Sequence, residues 1–93
     1  RQVQVVESPE QAMGAHLVFI ASSQTRRLPA VLRTLAGATV LTVGDTDGFA
    51  QEGVAINLYT FDNRVRIEVN SSAAARAGVH LSANLMRLAR IVE

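Results

Sequence analysis

The chain has no cysteine, no tryptophan and no lysine among its 93 residues. Without cysteine, disulfides, thiolate chemistry and cysteine-based zinc sites are excluded. Aromatics are limited to Phe19, Phe49, Tyr59 and Phe61, so the core must be built mainly from Val, Leu, Ile and Ala. All nine cations are arginine and the net charge is only +1, which we read as coding bias rather than function. That charge is too small to draw the chain onto DNA or RNA, and no basic run is interleaved with aromatics. The apolar runs fall far short of the roughly 20 residues that span a bilayer, so no direct membrane insertion is expected. No initiator methionine is present, and Arg1-Gln2-Val3 already reads as a strand. We expect a processed or truncated chain, which leaves room for a removed export signal.

What is present suits one small domain. Apolar residues make up 48% of the chain, ordinary for a globular protein. Val3–Val6 reads as a strand. Ser8-Pro9-Glu10 then supplies an N-cap and a proline for a helix of about one turn, ended at Gly14. His16–Ala21 is a continuous apolar run, the pattern of a strand buried on both faces. A helix is predicted over Leu28–Ala36, with Pro29 in its first turn and Gly37 at its end. Thr39–Val43 is the next strand, followed by a Gly44–Gly48 loop and a turn over Phe49–Gly53. Strands alternating with helices predict an α/β fold of three-layer character, a sheet of parallel strands with helices on its faces.

The 54–70 segment extends that sheet by an antiparallel hairpin. Asp62-Asn63 can form a two-residue type I′ turn, because both residues tolerate positive φ. That turn sets Phe61 opposite Arg64, Tyr59 opposite Arg66 and Asn57 opposite Glu68. The other face pairs Thr60 with Val65, Leu58 with Ile67 and Ile56 with Val69, and this aliphatic set is expected in the core. Beyond it, Ser71 or Ser72 is expected to cap a short helix over Ala73–Ala77, closed by Gly78. Ser82 is expected to cap a final helix, with a Leu81–Met86 staple and a stripe of Leu85, Leu88, Ala89 and Val92.

No set of nucleophile, base and orienting group can be assembled, so no catalytic residue is assigned, and no cofactor or metal is called for. His16 and His80 have no partner motif. Asp45 and Asp47 follow a buried strand, where α/β sheets place ligands, but two carboxylates alone are a weak metal motif. A small-molecule pocket, if the domain senses one, would lie near the strand ends at Ser22, Ser23, Arg27 and Asp45, with Asn57 and Glu68. The polar hairpin face is the leading contact surface. Tyr59, Phe61, Arg64 and Arg66 are residue types enriched at protein–protein hot spots. A Tyr59–Arg66 cation–π pair and an Asn57–Glu68 hydrogen bond account for the same composition without any partner. Cover from within the chain and contact with a partner therefore both remain open for this face.

Several segments, in order, resemble the YfiR family of extracytoplasmic proteins. They are Leu28-Pro29-Ala30-Val31-Leu32, Val40-Leu41-Thr42-Val43-Gly44-Asp45, Gly48-Phe49-Ala50, Ile56-Asn57-Leu58, Val65–Asn70, Ala73–Gly78 and Leu81–Val92. The resemblance covers essentially the whole chain. It implies one domain over 1–93 that corresponds to the C-terminal part of longer members, whose N-terminal helix and further strand-helix unit lie upstream. It also implies a periplasmic homodimer that binds the periplasmic domain of a membrane diguanylate cyclase and holds it inactive. Some relatives instead form the extracytoplasmic sensing part of a histidine kinase. The best-known type of member carries disulfides linked to redox state; without cysteine that control does not carry over.

Overall fold

A computed structural model describes residues 3–5, 17–36, 40–78 and 82–92. Six strands lie side by side in chain order: β1 (Val3–Val5), β2 (Leu17–Ile20), β3 (Leu41–Gly44), β4 (Ile56–Phe61), β5 (Arg64–Asn70) and β6 (Arg90–Val92). All neighbours run parallel except β4 and β5, which form the hairpin. This is the expected α/β arrangement of parallel strands extended by an antiparallel ribbon. Among the described residues, four α-helices join the strands: α1 (Leu28–Leu35), α2 (Phe49–Glu52), α3 (Ser71–Arg76) and α4 (Ala83–Leu88).

The order of the strands decides where the helices go. Right-handed crossovers that step sideways in one direction all return over the same face of a sheet. α1 and α2 accordingly pack on one face. Val18 and Ile20 point to it and join Leu28, Val31, Leu35, Val40, Phe49 and Val54 in the main core. The spacing of Leu28, Val31 and Leu35 puts them on one side of α1, and Pro29 sits in its first turn as expected. Burying each such side chain contributes about 1.5–3 kcal/mol before the entropy of ordering is subtracted. Strand direction reverses at the hairpin, so the β5–β6 crossover is directed to the other face. There Ala73 and Ala74 of α3, with Ala55, pack against Leu41.

Gly44 ends β3 where the chain has no room for a side chain. A Cβ there would lie 2.6 Å from Phe49 Cδ2 and 3.2 Å from Asn57 Oδ1. Gly53 closes α2 at φ +121°, a conformation that residues with a Cβ rarely adopt.

Three expectations need correction. β2 is not buried on both faces: Val18 and Ile20 are enclosed, but Leu17 and Phe19 are partly exposed. A 3-10 helix over Ser22–Arg27, a segment for which no element was predicted, leads directly into α1, and Thr25 Oγ1 donates to the Ser22 carbonyl at 2.6 Å. α3 is capped not by a serine but by Asn70, whose side chain accepts from the Ala73 amide. Asparagine competes well for this role, and β5 delivers it at the right place. The last helix stops at Leu88. Ala89 is extended, and Arg90–Val92 form β6 beside β5. Pairing with the open edge of β5 outcompetes continuation of a helix whose outward Leu88 is 83% exposed. Ser82 does cap α4, accepting from the Leu85 amide at 3.1 Å, and Gly78 follows α3 at φ +74°. The expected 8–14 helix, its Gly14 stop, the Gly37 end and the Leu81 half of the staple lie outside the described residues.

Candidate functional site

The hairpin forms in the expected register, with all six pairs from Ile56–Val69 to Phe61–Arg64 in place. Asp62 and Asn63 sit at φ 54° and 59°, the left-handed pair that a type I′ turn requires. The faces, however, are distributed differently from expectation. Of the aliphatic set only Val69 is fully buried. Ile56, Leu58 and Ile67 are half-buried, and Thr60 and Val65 are exposed. At the base of the ribbon it is the polar set that is enclosed, because Asn57, Glu68 and Asn70 lie on the face that α1 and α2 cover.

Buried polar groups persist only when paired, and these are. Asn57 Nδ2 donates to the Thr46 carbonyl at 2.9 Å and to Glu68 Oε1 at 3.1 Å, while its Oδ1 accepts from the Thr46 amide at 3.2 Å. One side chain thereby fastens the β3–α2 loop to β4. Asn70 Nδ2 donates to the Ala50 carbonyl at 2.8 Å, so the residue that caps α3 also anchors α2. Glu68 Oε2 accepts from Arg90 Nη2. Burial pushes the Glu68 carboxyl up, but bonds from Arg90, Asn57 and Gln51 and the Arg90 charge outweigh it, so its pKa is lowered. The Glu68 carboxylate raises the Arg90 pKa in turn.

The expected Asn57–Glu68 bond is thus present. The expected Tyr59–Arg66 cation–π pair is not. Arg90 lies over the Tyr59 ring at 4.7 Å, and Arg66 lies over Phe61 at 5.5 Å, its diagonal neighbour across the ribbon. Arg90 is the residue that sequence reasoning missed. It was placed on a helix, and three residues of strand carry too little periodicity to reveal themselves.

Towards its tip the ribbon opens to solvent. Phe61 is 63% exposed on one face and Val65 71% on the other. Arg64 and Arg66 are exposed beside Phe61, and neither has a carboxylate partner among the described residues. Tyr59, partly exposed, joins the buried base to this tip. The structure therefore gathers Tyr59, Phe61, Arg64 and Arg66 into one accessible surface.

Ser22, Ser23, Arg27 and Asp45 are exposed, the serines after β2 and Asp45 after β3, at one shared end of the sheet. Asn57 reaches that end through Thr46, while Glu68 is bonded to Asn57 on one carboxylate oxygen and to Arg90 on the other. A shallow cleft of about 150 Å³ lies between α1 and α3, beside the other end of β3; Leu32, Leu35, Thr42, Glu52 and Arg76 line it, and none of the expected pocket residues does. Among the described residues no three His, Asp or Glu side chains come together as metal ligands, and no helix is long and apolar enough to cross a membrane.

In this α/β domain a buried polar ladder supports a projecting ribbon of aromatic and arginine side chains. The chain belongs to the YfiR/HmsC-like family, DUF4154, which it matches over residues 1–90. At family level this makes it a periplasmic regulator in the cyclic-di-GMP system. No curated protein matches it.

Proposed function

We propose that this chain represses a membrane-bound diguanylate cyclase by binding the cyclase's periplasmic domain, and that it does so as a binding protein rather than an enzyme. The observation that carries this reading is the exposed tip, where Phe61, Arg64 and Arg66 stand with Tyr59 on one face of the hairpin. Aromatic rings and guanidinium groups on a defined backbone are the chemistry of protein–protein anchors. Repression requires only differential affinity: the domain holds the cyclase inactive by as much as it prefers the inactive state. The same reading takes the chain to act as a homodimer. The exposed Leu88, and Ile91 on the edge strand β6, are apolar surface that a second copy would cover.

The test is a binding measurement with the cyclase's periplasmic domain. Wild-type chain is expected to bind, and the combined Tyr59→Ala and Arg66→Glu variant is expected to bind at least about tenfold more weakly, the loss of one hot spot. Equal binding by both would remove this surface from the interface. No binding by either would reject the repressor reading.

A further inference from the structure

The hairpin outruns its neighbours. β3 pairs with β4 only at Ile56 and Asn57, and β6 pairs with β5 only from Glu68 to Asn70. From Leu58 to Ile67, among the described residues, each strand of the ribbon has only the other as a partner. A two-residue turn makes Phe61–Arg64 and Tyr59–Arg66 the pairs that bond to each other. The backbone N–H and C=O groups of Val65 and Ile67 on β5, and of Leu58 and Thr60 on β4, are then directed outward. An outward row of this kind is a template for a further strand. Edge strands in natural proteins are commonly blunted by proline, and none interrupts this ribbon.

The side chains say what such a strand must carry. Along β5 one face shows Arg64 and Arg66 and the other shows Val65 and Ile67. A second copy laid on this edge would bring arginine beside arginine, an unfavourable cross-strand pairing. An acidic strand would satisfy both.

We propose that the outer edge of β5 at Val65 and Ile67 accepts an extended segment of the protein partner as an added strand, with acidic and apolar residues in alternation. Its carboxylates lie beside Arg64 and Arg66, and its apolar side chains cover Val65 and Ile67. Backbone bonds hold the segment, and the two arginines select for it. This rests on the reading of the hairpin as the partner-binding surface, and it specifies how that surface binds.

The experiment uses the full chain and amide hydrogen exchange followed by NMR. The probes are a short peptide of alternating glutamate and valine, the same peptide with lysine for glutamate, the acidic peptide with a central proline, and the cyclase's periplasmic domain. The acidic peptide is expected to bind and to protect the Val65 and Ile67 amides. The lysine and proline peptides are expected to do neither. The Arg64→Glu, Arg66→Glu double variant is expected to lose about fivefold to tenfold in affinity for the acidic peptide, the effect of two exposed ion pairs, with an unchanged melting temperature. Equal binding of the lysine peptide, or protection at Leu58 and Thr60 instead, overturns the proposal. If the cyclase domain binds without protecting Val65 and Ile67, strand addition fails and the repressor reading stands. If the acidic peptide protects them and the cyclase domain does not bind, the strand-accepting edge stands and the repressor reading fails.

Discussion

Arg90 closes over Glu68. The carboxylate is 2% exposed and the arginine side chain 57% exposed, so a surface cation neutralises an interior anion. The cost of losing Arg90 is then chiefly the cost of leaving that anion unpaired. Arg90→Ala is expected to lower the melting temperature, and adding Glu68→Gln is expected to restore part of the loss. A double variant no more stable than Arg90→Ala alone would show that the unpaired Glu68 charge is not the source of the loss. Thermal unfolding followed by circular dichroism measures both.

The same pair sets an acid limit. Glu68 has a lowered pKa in the folded chain, while in the unfolded chain it titrates near the ordinary value of about 4.3. Below that value the unfolded state binds more protons, so the stability Glu68 provides is complete above it and is lost as pH falls through the folded value. Melting temperatures are expected to fall below about pH 4.3, and the fall is expected to be shallower in Glu68→Gln.

Asn70 holds two helices at once, accepting from the Ala73 amide and donating to the Ala50 carbonyl. Asn70→Ala is expected to cost about 1–3 kcal/mol in urea unfolding, a lost cap together with an unsatisfied carbonyl. Asn70→Asp keeps the acceptor and loses the donor, so it is expected to fall between the two.

Gly44 carries the ring of Phe49 against its backbone. Gly44→Ala is expected to cost about 1–3 kcal/mol, because the new methyl must displace an aromatic ring inside a filled core. Phe49→Leu in the same chain is expected to relieve the clash. Urea midpoints of the three variants decide whether space, rather than backbone freedom, explains the glycine.

The tip of the ribbon behaves oppositely. Phe61 and Val65 are mostly in solvent, so Phe61→Ala and Val65→Ala are each expected to change stability by no more than about 0.5 kcal/mol. Binding assays at these positions therefore read recognition and not folding, and matched denaturation curves check that separation.

The hairpin was the most legible part of the sequence, because two adjacent residues tolerant of positive φ set the whole register. Which of its faces the helices cover was not legible. Alternation shows that Asn57, Tyr59 and Glu68 share a side; it does not show that α1 and α2 lie over that side. Burial of Asn57 and Glu68 depends on partners far along the chain, Thr46 and Arg90, which no local pattern announces. Leu85, Leu88 and Val92 fitted a helical stripe, yet three residues of strand at Arg90–Val92 fit the open edge of β5 better. In so short a segment the two periods cannot be told apart. The Tyr59, Phe61, Arg64 and Arg66 cluster was legible because it needs only the register.

Six strands placed in chain order have a consequence for how the domain assembles. Each lateral pairing closes a modest length of backbone, and the shortest closure, at Asp62 and Asn63, leaves almost none to immobilise. Early assembly is cheapest where closure is shortest. By loop-closure entropy the ribbon is thus the least costly place for strand pairing to begin, and further strands can add on either side of it without threading.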